Sequence, residues 1–207
     1  MKSYQEKYIE YARDYAEKSR HHVWLGGSFL RGNATAFSDV DISALMGTDS
    51  LREFIYGYGN PVYMSYTANP EGIIIVIYED GVAVDLEVIE SVEVKDNIFF
   101  HMEDIKDLEY RRDKSACREI CKRNDLPYQT ARLFHRSLIK YLGGRKEAGV
   151  SIANEIASFL NTDQVNEDGY KEGITRLINC FHDKYPLDAK YSDLCLEMIS
   201  LTDNVNV

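Results

Sequence analysis

Residues 23–43, VWLGGSFLRGNATAFSDVDIS, carry the most informative pattern in this sequence. A short apolar run ends in a Gly-Gly-Ser turn at residues 26–28, which predicts a strand followed by the start of a short helix. After the intervening residues 29–38, Asp39 and Asp41 open a second apolar run that predicts another strand. Side chains two residues apart on a strand lie on the same face, so these carboxylates would repel each other unless a cation lay between them. The stretch therefore predicts a divalent metal site.

A predicted β-hairpin supplies a third carboxylate. The segment IIIVIYEDGVAVDLEVI, residues 73–89, contains an Asp-Gly pair between two apolar runs, which is a strong hairpin signal. Along the second run, valine and leucine alternate with a face that carries Asp85 and Glu87. If this strand lies beside the strand of Asp39 and Asp41, three acidic side chains converge on one spot.

The remaining periodicity predicts an α+β fold, with a mixed sheet, flanking helices and an α-helical C-terminal bundle. Strands are expected over residues 22–25, 40–46, 61–66, 73–78 and 82–89. Helices are expected over residues 3–19, 49–58, 103–123, 127–142, 147–161, 167–184 and 189–201. The change from mixed to helical character places a domain boundary near residue 100. We expect a catalytic domain over residues 1–100 and an α-helical domain over residues 101–207. The helical domain would form the acceptor-side wall of a cleft, that is, the wall that faces the second substrate.

The composition limits the classes of partner. With 207 residues and 44% hydrophobic content, the chain is large enough to bury a core. Lys and Arg number 24 against 34 Asp and Glu, and the net charge of −10 argues against nucleic acid and favours a small or cationic partner. No apolar stretch approaches the length of a membrane span, and the first twenty residues are polar and charged. We therefore expect a cytoplasmic protein with no membrane partner.

Neither the histidines nor the cysteines predict a metal site from their spacing. His21 and His22 are adjacent on a predicted strand, so their side chains point to opposite faces and cannot bind one ion together. The cysteines lack CxxC spacing and are expected to be reduced thiols packed in helices. Cys117 and Cys121 share one predicted helix face, where core packing is the favoured interpretation over zinc.

The order and spacing of these motifs resemble the nucleotidyltransferase fold of the DNA polymerase beta superfamily. The family pattern of a strand, a Gly-Ser turn, an Asp-x-Asp pair and a later Asp falls here on Gly27, Ser28, Asp39, Asp41 and Asp85. The match covers about the first 90 residues, and the 73–89 segment is similar to that of the streptomycin-type aminoglycoside adenylyltransferases. The resemblance implies a polymerase-beta-like mixed sheet. It also implies a possible homodimer, since a dimer is plausible in this family.

The resemblance also implies a metal-dependent reaction. Asp39, Asp41 and Asp85 would hold two Mg²⁺ ions, one on the triphosphate of ATP or another nucleoside triphosphate and one between the α-phosphate and the acceptor hydroxyl. Asp85 is the first choice for the general base, with Glu87 as a second choice.

On the phosphate side, glycine at positions 26 and 27 would let the backbone approach the triphosphate without a Cβ in the way. The Gly26 and Gly27 turn, the Ser28 hydroxyl and the start of the following helix would hold the β- and γ-phosphates. Arg31 would add a cation, although a solvated surface position is an equal alternative.

The leading hypothesis is an enzyme that transfers AMP from ATP to a hydroxyl of a small, cationic acceptor such as an aminoglycoside, which would confer antibiotic resistance. The alternative is a protein adenylyltransferase of a toxin–antitoxin module. Arg176 and His182 lie near the end of a predicted helix, as in helical partners of such modules, but at six residues apart they do not share a helix face. A third alternative, a nucleotide-binding domain without turnover, is disfavoured by the intact carboxylates at 39, 41 and 85.

Overall fold

The computed structural model describes residues 3–203, which divide into two compact units, one ending at Asn124 and one beginning at Asp125. The elements of the first unit are α1 (Tyr4–Ser19), β1 (His22–Leu25), α2 (Gly27–Leu30), β2 (Val40–Leu45), α3 (Thr48–Tyr58), β3 (Pro61–Tyr66), β4 (Ile73–Tyr78), β5 (Ala83–Val92), β6 (Phe100–His101), a 3₁₀ turn (Ile105–Asp107), β7 (Tyr110–Arg112) and α4 (Lys114–Ile120). The elements of the second unit are α5 (Leu126–Leu142), α6 (Lys146–Leu160), α7 (Tyr170–Lys184) and α8 (Ala189–Leu201).

The strands within residues 3–124 form a seven-stranded mixed sheet in the order β3-β4-β5-β2-β1-β6, with β7 paired to β5. The neighbours β2 and β5 run parallel, as do β1 and β6, while β1–β2, β3–β4, β4–β5 and β5–β7 are antiparallel. Together with the flanking helices and the helical second unit, this arrangement confirms the predicted α+β class. No helix within residues 3–203 is long and apolar enough to cross a membrane.

The two faces of the sheet differ in what they bury. On one face, alternate residues of the central strands join side chains of α1, α3 and α4 in a large apolar core. Val40 and Ile42 of β2 and Val84 and Leu86 of β5 all belong to it. Because side chains alternate along a strand, the residues between them lie on the opposite face, where the buried cluster is small and centred on Trp24. The acidic residues predicted to act together are therefore on the thinly covered face.

The segment after residue 100 differs from the sequence prediction, and the helix expected over residues 103–123 is wrong. The chain there forms β6, the 3₁₀ turn and β7 before α4 begins at Lys114. Strand β7 forms because β5 extends far enough to pair with it, with Arg112 opposite Ile89. Asp113 then caps α4 by accepting hydrogen bonds from the Ser115 and Ala116 N–H groups. The first unit therefore continues to Asn124, beyond the position near 100 at which the sequence pattern changes.

The second unit is helical throughout its regular elements, and its four predicted helices fall within a few residues of α5–α8. Aromatic packing fixes its interior: Phe134 meets Phe181 edge to face at 5.5 Å between ring centroids, and Tyr141 stacks on Tyr170 at 3.7 Å. Ser137 bonds both the Gly149 carbonyl and the Tyr170 hydroxyl at 2.7 Å, which satisfies these buried polar groups.

Candidate active site

Asp41 and Asp85 are brought together by the parallel pairing of β2 and β5. In the register of these strands the two aspartates are direct partners. Neighbouring strands lie about 4.8 Å apart, so two carboxylates on the same face at paired positions are close enough to share a cation. Asp39 is half-buried immediately before β2, two residues from Asp41 along the chain. The sequence prediction that the hairpin strand lies beside the Asp-x-Asp strand is therefore met in the fold.

The glycine turn after β1 lies against Asp41. The Gly26 N–H donates to the Asp41 carbonyl at 2.9 Å. Gly27 has a φ of 59°, and a Cβ placed on it would lie 1.6 Å from Asp41 Oδ2. Only glycine combines that left-handed backbone with such a close approach to a carboxylate. The predicted phosphate-side turn and the predicted metal-side aspartate are thus in direct contact.

Ser28 and Arg31 follow this turn. Helix α2 begins at Gly27 and is only four residues long. Within the described residues, the buried Ser28 Oγ has no hydrogen-bond partner, and leaving a buried hydroxyl unpaired costs free energy. Arg31 ends α2 with an exposed side chain and lines the adjoining cavity.

A cavity of about 300 Å³ opens on this face of the first unit. The Gly26-Gly27 turn, Asp41 and Asp85 form one part of its lining, and Asp39 lies outside that lining. The chain from Glu103 to Arg112 forms another part. The charged residues of the lining are Asp41, Asp85, Glu87, Glu103, Asp104, Arg31, Lys106 and Arg112. The residues after 100 were missed by sequence reasoning because their position depends on the pairing of β6 and β7 with distant strands.

Glu87 is held on the cavity wall by donors from other elements of the first unit. Ser43 Oγ donates to Oε2 at 2.8 Å, while the Tyr110 hydroxyl, at 3.1 Å, and Arg112 Nε both reach Oε1. Burial and the Glu87 charge raise the pKa of Tyr110, which keeps the phenol protonated as a donor. Although burial acts in the opposite direction, the hydrogen bond and charge of Glu87 give a net rise in the pKa of Arg112. This carboxylate is therefore a fixed, ion-paired part of the wall.

The remaining candidate residues from the sequence are dispersed. Arg176 donates to the Asp163 carbonyl at 2.6 Å and His182 is exposed, which gives no sign of a shared site within the second unit. Cys117 and Cys121 are buried in the core of the first unit, where burial raises the pKa of each thiol to about 12. These two cysteines therefore have the environment of packed thiols, as the sequence predicts.

Comparison of the chain with protein-family models gives no match, and comparison with curated proteins gives none either.

Proposed function

We propose that this chain is a Mg²⁺-dependent nucleotidyltransferase. It would transfer a nucleoside monophosphate, AMP from ATP, to a hydroxyl of a small cationic acceptor such as an aminoglycoside and release pyrophosphate. The observation that carries the proposal is the in-register pairing of Asp41 with Asp85, beside a glycine turn that contacts Asp41 and in the lining of a cavity. The motif order supplies the family resemblance, and this geometry gives it a physical basis.

The residues fit the metal that the reaction needs. Mg²⁺ prefers hard oxygen ligands, and Asp39, Asp41 and Asp85 offer carboxylates only. When bound, such ions neutralise triphosphate charge and lower the pKa of an attacking hydroxyl. The chain's own contribution is to hold Asp41 and Asp85 on adjacent strands, where the β2–β5 ladder fixes their separation, with Asp39 just before β2.

The turn at residues 26–28 is suited to the phosphate side. A phosphate oxygen would accept a hydrogen bond from the Ser28 hydroxyl, which has no partner within residues 3–203. Because Gly27 lacks a Cβ, a triphosphate at this turn would lie next to Asp41. Arg31 is positioned in the lining to balance phosphate charge.

The contacts of the wall favour Asp85 over Glu87 as general base. Glu87 already accepts from Ser43, Tyr110 and Arg112, so its lone pairs are directed at the protein. Asp85 is the register partner of Asp41 at the proposed metal site, where an acceptor hydroxyl would approach the α-phosphate. We assign Glu87 a positioning role, in which it holds β7 and Arg112 against the cavity.

The charges of the lining favour a cationic acceptor. Carboxylates outnumber cations there, and the Arg112 cation is already paired with Glu87. Asp104 pairs with Lys106 at 3.4 Å, so Glu103, on the segment after β6, is the carboxylate placed to meet an amino group of an acceptor. The net charge of −10 acts in the same direction and disfavours polyanionic acceptors.

The direct test is nucleotide transfer with purified components. The protein is incubated with Mg²⁺, each of the four nucleoside triphosphates and a panel of aminoglycosides and lincosamides. Pyrophosphate release and the mass of the modified acceptor are measured. We expect Asp41→Asn and Asp85→Asn to lower the rate by at least about 100-fold, the order of effect expected when a charge-stabilising group is lost. Glu90→Gln, an exposed position on the same strand β5, is the matched control with unchanged rate.

Each negative result has a different meaning. If neither antibiotic class gives a product while Mg²⁺-dependent ATP binding is intact, only the acceptor assignment is overturned. Equal ATP and Mg²⁺ stabilisation in wild type and in the Asp39→Ala plus Asp41→Ala variant would overturn the site itself. Transfer onto a co-purifying protein would favour the protein-modifying alternative.

A further inference from the structure

A second cluster of ligand-type side chains lies at the β1–β6 edge of the sheet. The ligand atoms of His22, Asp96 and His101 all lie within 4.8 Å of one another. His22 Nδ1 is 3.0 Å from His101 Nε2. The cluster contains two imidazoles, which the triad of Asp39, Asp41 and Asp85 lacks.

The fold brings these three residues together from separate parts of the chain. His22 begins β1, and β6 runs parallel to β1 with His101 opposite Trp24. His22 and Trp24 are two residues apart and share a face, so His22 lies beside the His101 ring. Asp96 precedes β6, where its Oδ1 accepts the Ile98 N–H at 3.2 Å. The neighbouring His21 instead stacks on Tyr15, which agrees with the prediction that adjacent histidines face apart.

The orientation of His101 is the one found in metal-binding histidines. Its Nε2 faces His22, and its Nδ1 lies 3.6 Å from Glu103 Oε1. Histidines that bind metals usually direct the second ring nitrogen to a carboxylate or carbonyl, which fixes the tautomer and the ring. The ring is 4% exposed and stacks on the Trp24 indole at 4.6 Å with an interplanar angle of 11°. It is therefore already held in position.

We propose that His22, Asp96 and His101 form a binding site for a divalent transition-metal ion of the Zn²⁺ type, separate from the Asp39, Asp41 and Asp85 site. Two imidazoles and one carboxylate suit Zn²⁺ and its neighbours better than Mg²⁺. Bonds of about 2.0–2.1 Å place two donors at most about 4.2 Å apart, and the 3.0 Å pair of imidazole nitrogens lies inside that limit. Water would complete the coordination.

The site would link the edge strand to the cavity wall. His101 contacts both Trp24 and Glu103, and these two residues line the 300 Å³ cavity. An ion that ties β6 to β1 would therefore stiffen the wall that they form. Metal binding itself does not depend on the proposed transferase activity, so each can fail without the other.

The test is a titration of metal-free protein with Zn²⁺ and with Co²⁺. Binding is measured by calorimetry for Zn²⁺ and by visible absorption for Co²⁺. Trp24, the only tryptophan in the chain, reports the event by fluorescence because it stacks on His101. We expect one equivalent to bind with a change in Trp24 emission, and any Zn²⁺ at the Asp39, Asp41 and Asp85 site counts separately.

Variants separate this site from adventitious metal binding elsewhere on the protein. We expect Asp96→Asn and His22→Gln to weaken Zn²⁺ binding by at least about tenfold. Mutation of residues that only hydrogen-bond to a metal ligand already lowers metal affinity by about 10–100-fold. Asp96 is exposed, so its variant is expected to keep the native fold, which circular dichroism checks. His21→Gln is the matched control for His22 and should bind as wild type does. Asp41→Asn, which removes metal at the carboxylate site, should still bind the one equivalent assigned to His22, Asp96 and His101.

Three results would overturn the proposed metal site. A His22–His101 hydrogen bond without a metal function predicts no stoichiometric binding by wild type, which would overturn the site. Equal affinities in wild type and in Asp96→Asn would do the same. Thiolate-to-Co²⁺ charge-transfer absorption would place the ion on a cysteine and also refute the assignment.

Discussion

Gly27 is the residue at which the predicted phosphate and metal functions meet, and it yields a sharp prediction. Alanine there must adopt a φ of 59° and place its Cβ 1.6 Å from Asp41 Oδ2. We expect Gly27→Ala to be destabilised by more than the roughly 1–2 kcal/mol of left-handed strain alone, and to lose the thermal shift produced by Mg²⁺ and ATP. Urea unfolding and thermal-shift measurements check the two effects.

Gly32 provides the matched control for this residue. It has a φ of 71°, but a Cβ there would meet nothing within 4 Å. Gly32→Ala therefore carries the backbone strain without the collision, and should lose about 1–2 kcal/mol while keeping the ligand-induced shift. If both variants kept equal shifts, the contact between the turn and Asp41 would have no part in ligand binding.

Strand β7 is joined to β5 by an ion pair as well as by the backbone ladder. Arg112 and Glu87 pair across the β5–β7 ladder, with side chains 30% and 13% exposed. We expect Arg112→Met to lower the free energy of unfolding by about 1–3 kcal/mol, because it leaves the Glu87 charge partly buried without its cation. Denaturant unfolding measures the loss.

A double-mutant cycle separates this pair from general effects of β7. Arg111→Met, at the adjacent exposed position, should change stability by less than about 0.5 kcal/mol. Arg112→Met combined with Glu87→Gln should cost less than the sum of the single changes, with a coupling of about 0.5–3 kcal/mol. Strict additivity would show that the pair contributes nothing to holding β7.

The sequence predicts elements with a strong local pattern and misses those that depend on distant partner strands. The Asp-Gly hairpin and the strict alternation in β5 are local signals, and they predicted the strand, its faces and the position of Asp85. Strands β6 and β7 are two and three residues long, and they exist because β1 and β5 offer partners. Neither has enough local pattern to be recognised, so the Glu103–Arg112 wall and the His22–His101 pair could not be read from sequence.

Across the whole molecule, the two units are proposed to have different tasks. The residues proposed for chemistry all lie in the first unit, on the sheet face without the large apolar core. The second unit has an interior of aliphatic and aromatic residues, and its role as acceptor-side wall stays a prediction. Under the proposed function, acceptor recognition would begin in the first unit, where Glu103 lines the cavity.

The buried thiols predict how stability of the first unit depends on alkaline pH. Burial raises the pKa of Cys117 and Cys121 to about 12 from an ordinary value of 9.0, so above pH 9 the unfolded chain releases protons that the folded chain retains. Stability is therefore complete below pH 9 and falls as pH rises toward 12, by about 1.4 kcal/mol per thiol at pH 10. Urea unfolding followed by Trp24 fluorescence at pH 8 and pH 10 measures this loss.

A cysteine variant separates the thiols from other buried groups that titrate at high pH. Buried tyrosines such as Tyr8, whose pKa is also raised by burial, lower the stability of wild type and variant equally, so their contribution cancels in the comparison. The Cys117→Ala plus Cys121→Ala protein should consequently lose about 3 kcal/mol less than wild type between the two pH values, and equal losses would show that these thiols ionise alike in both states.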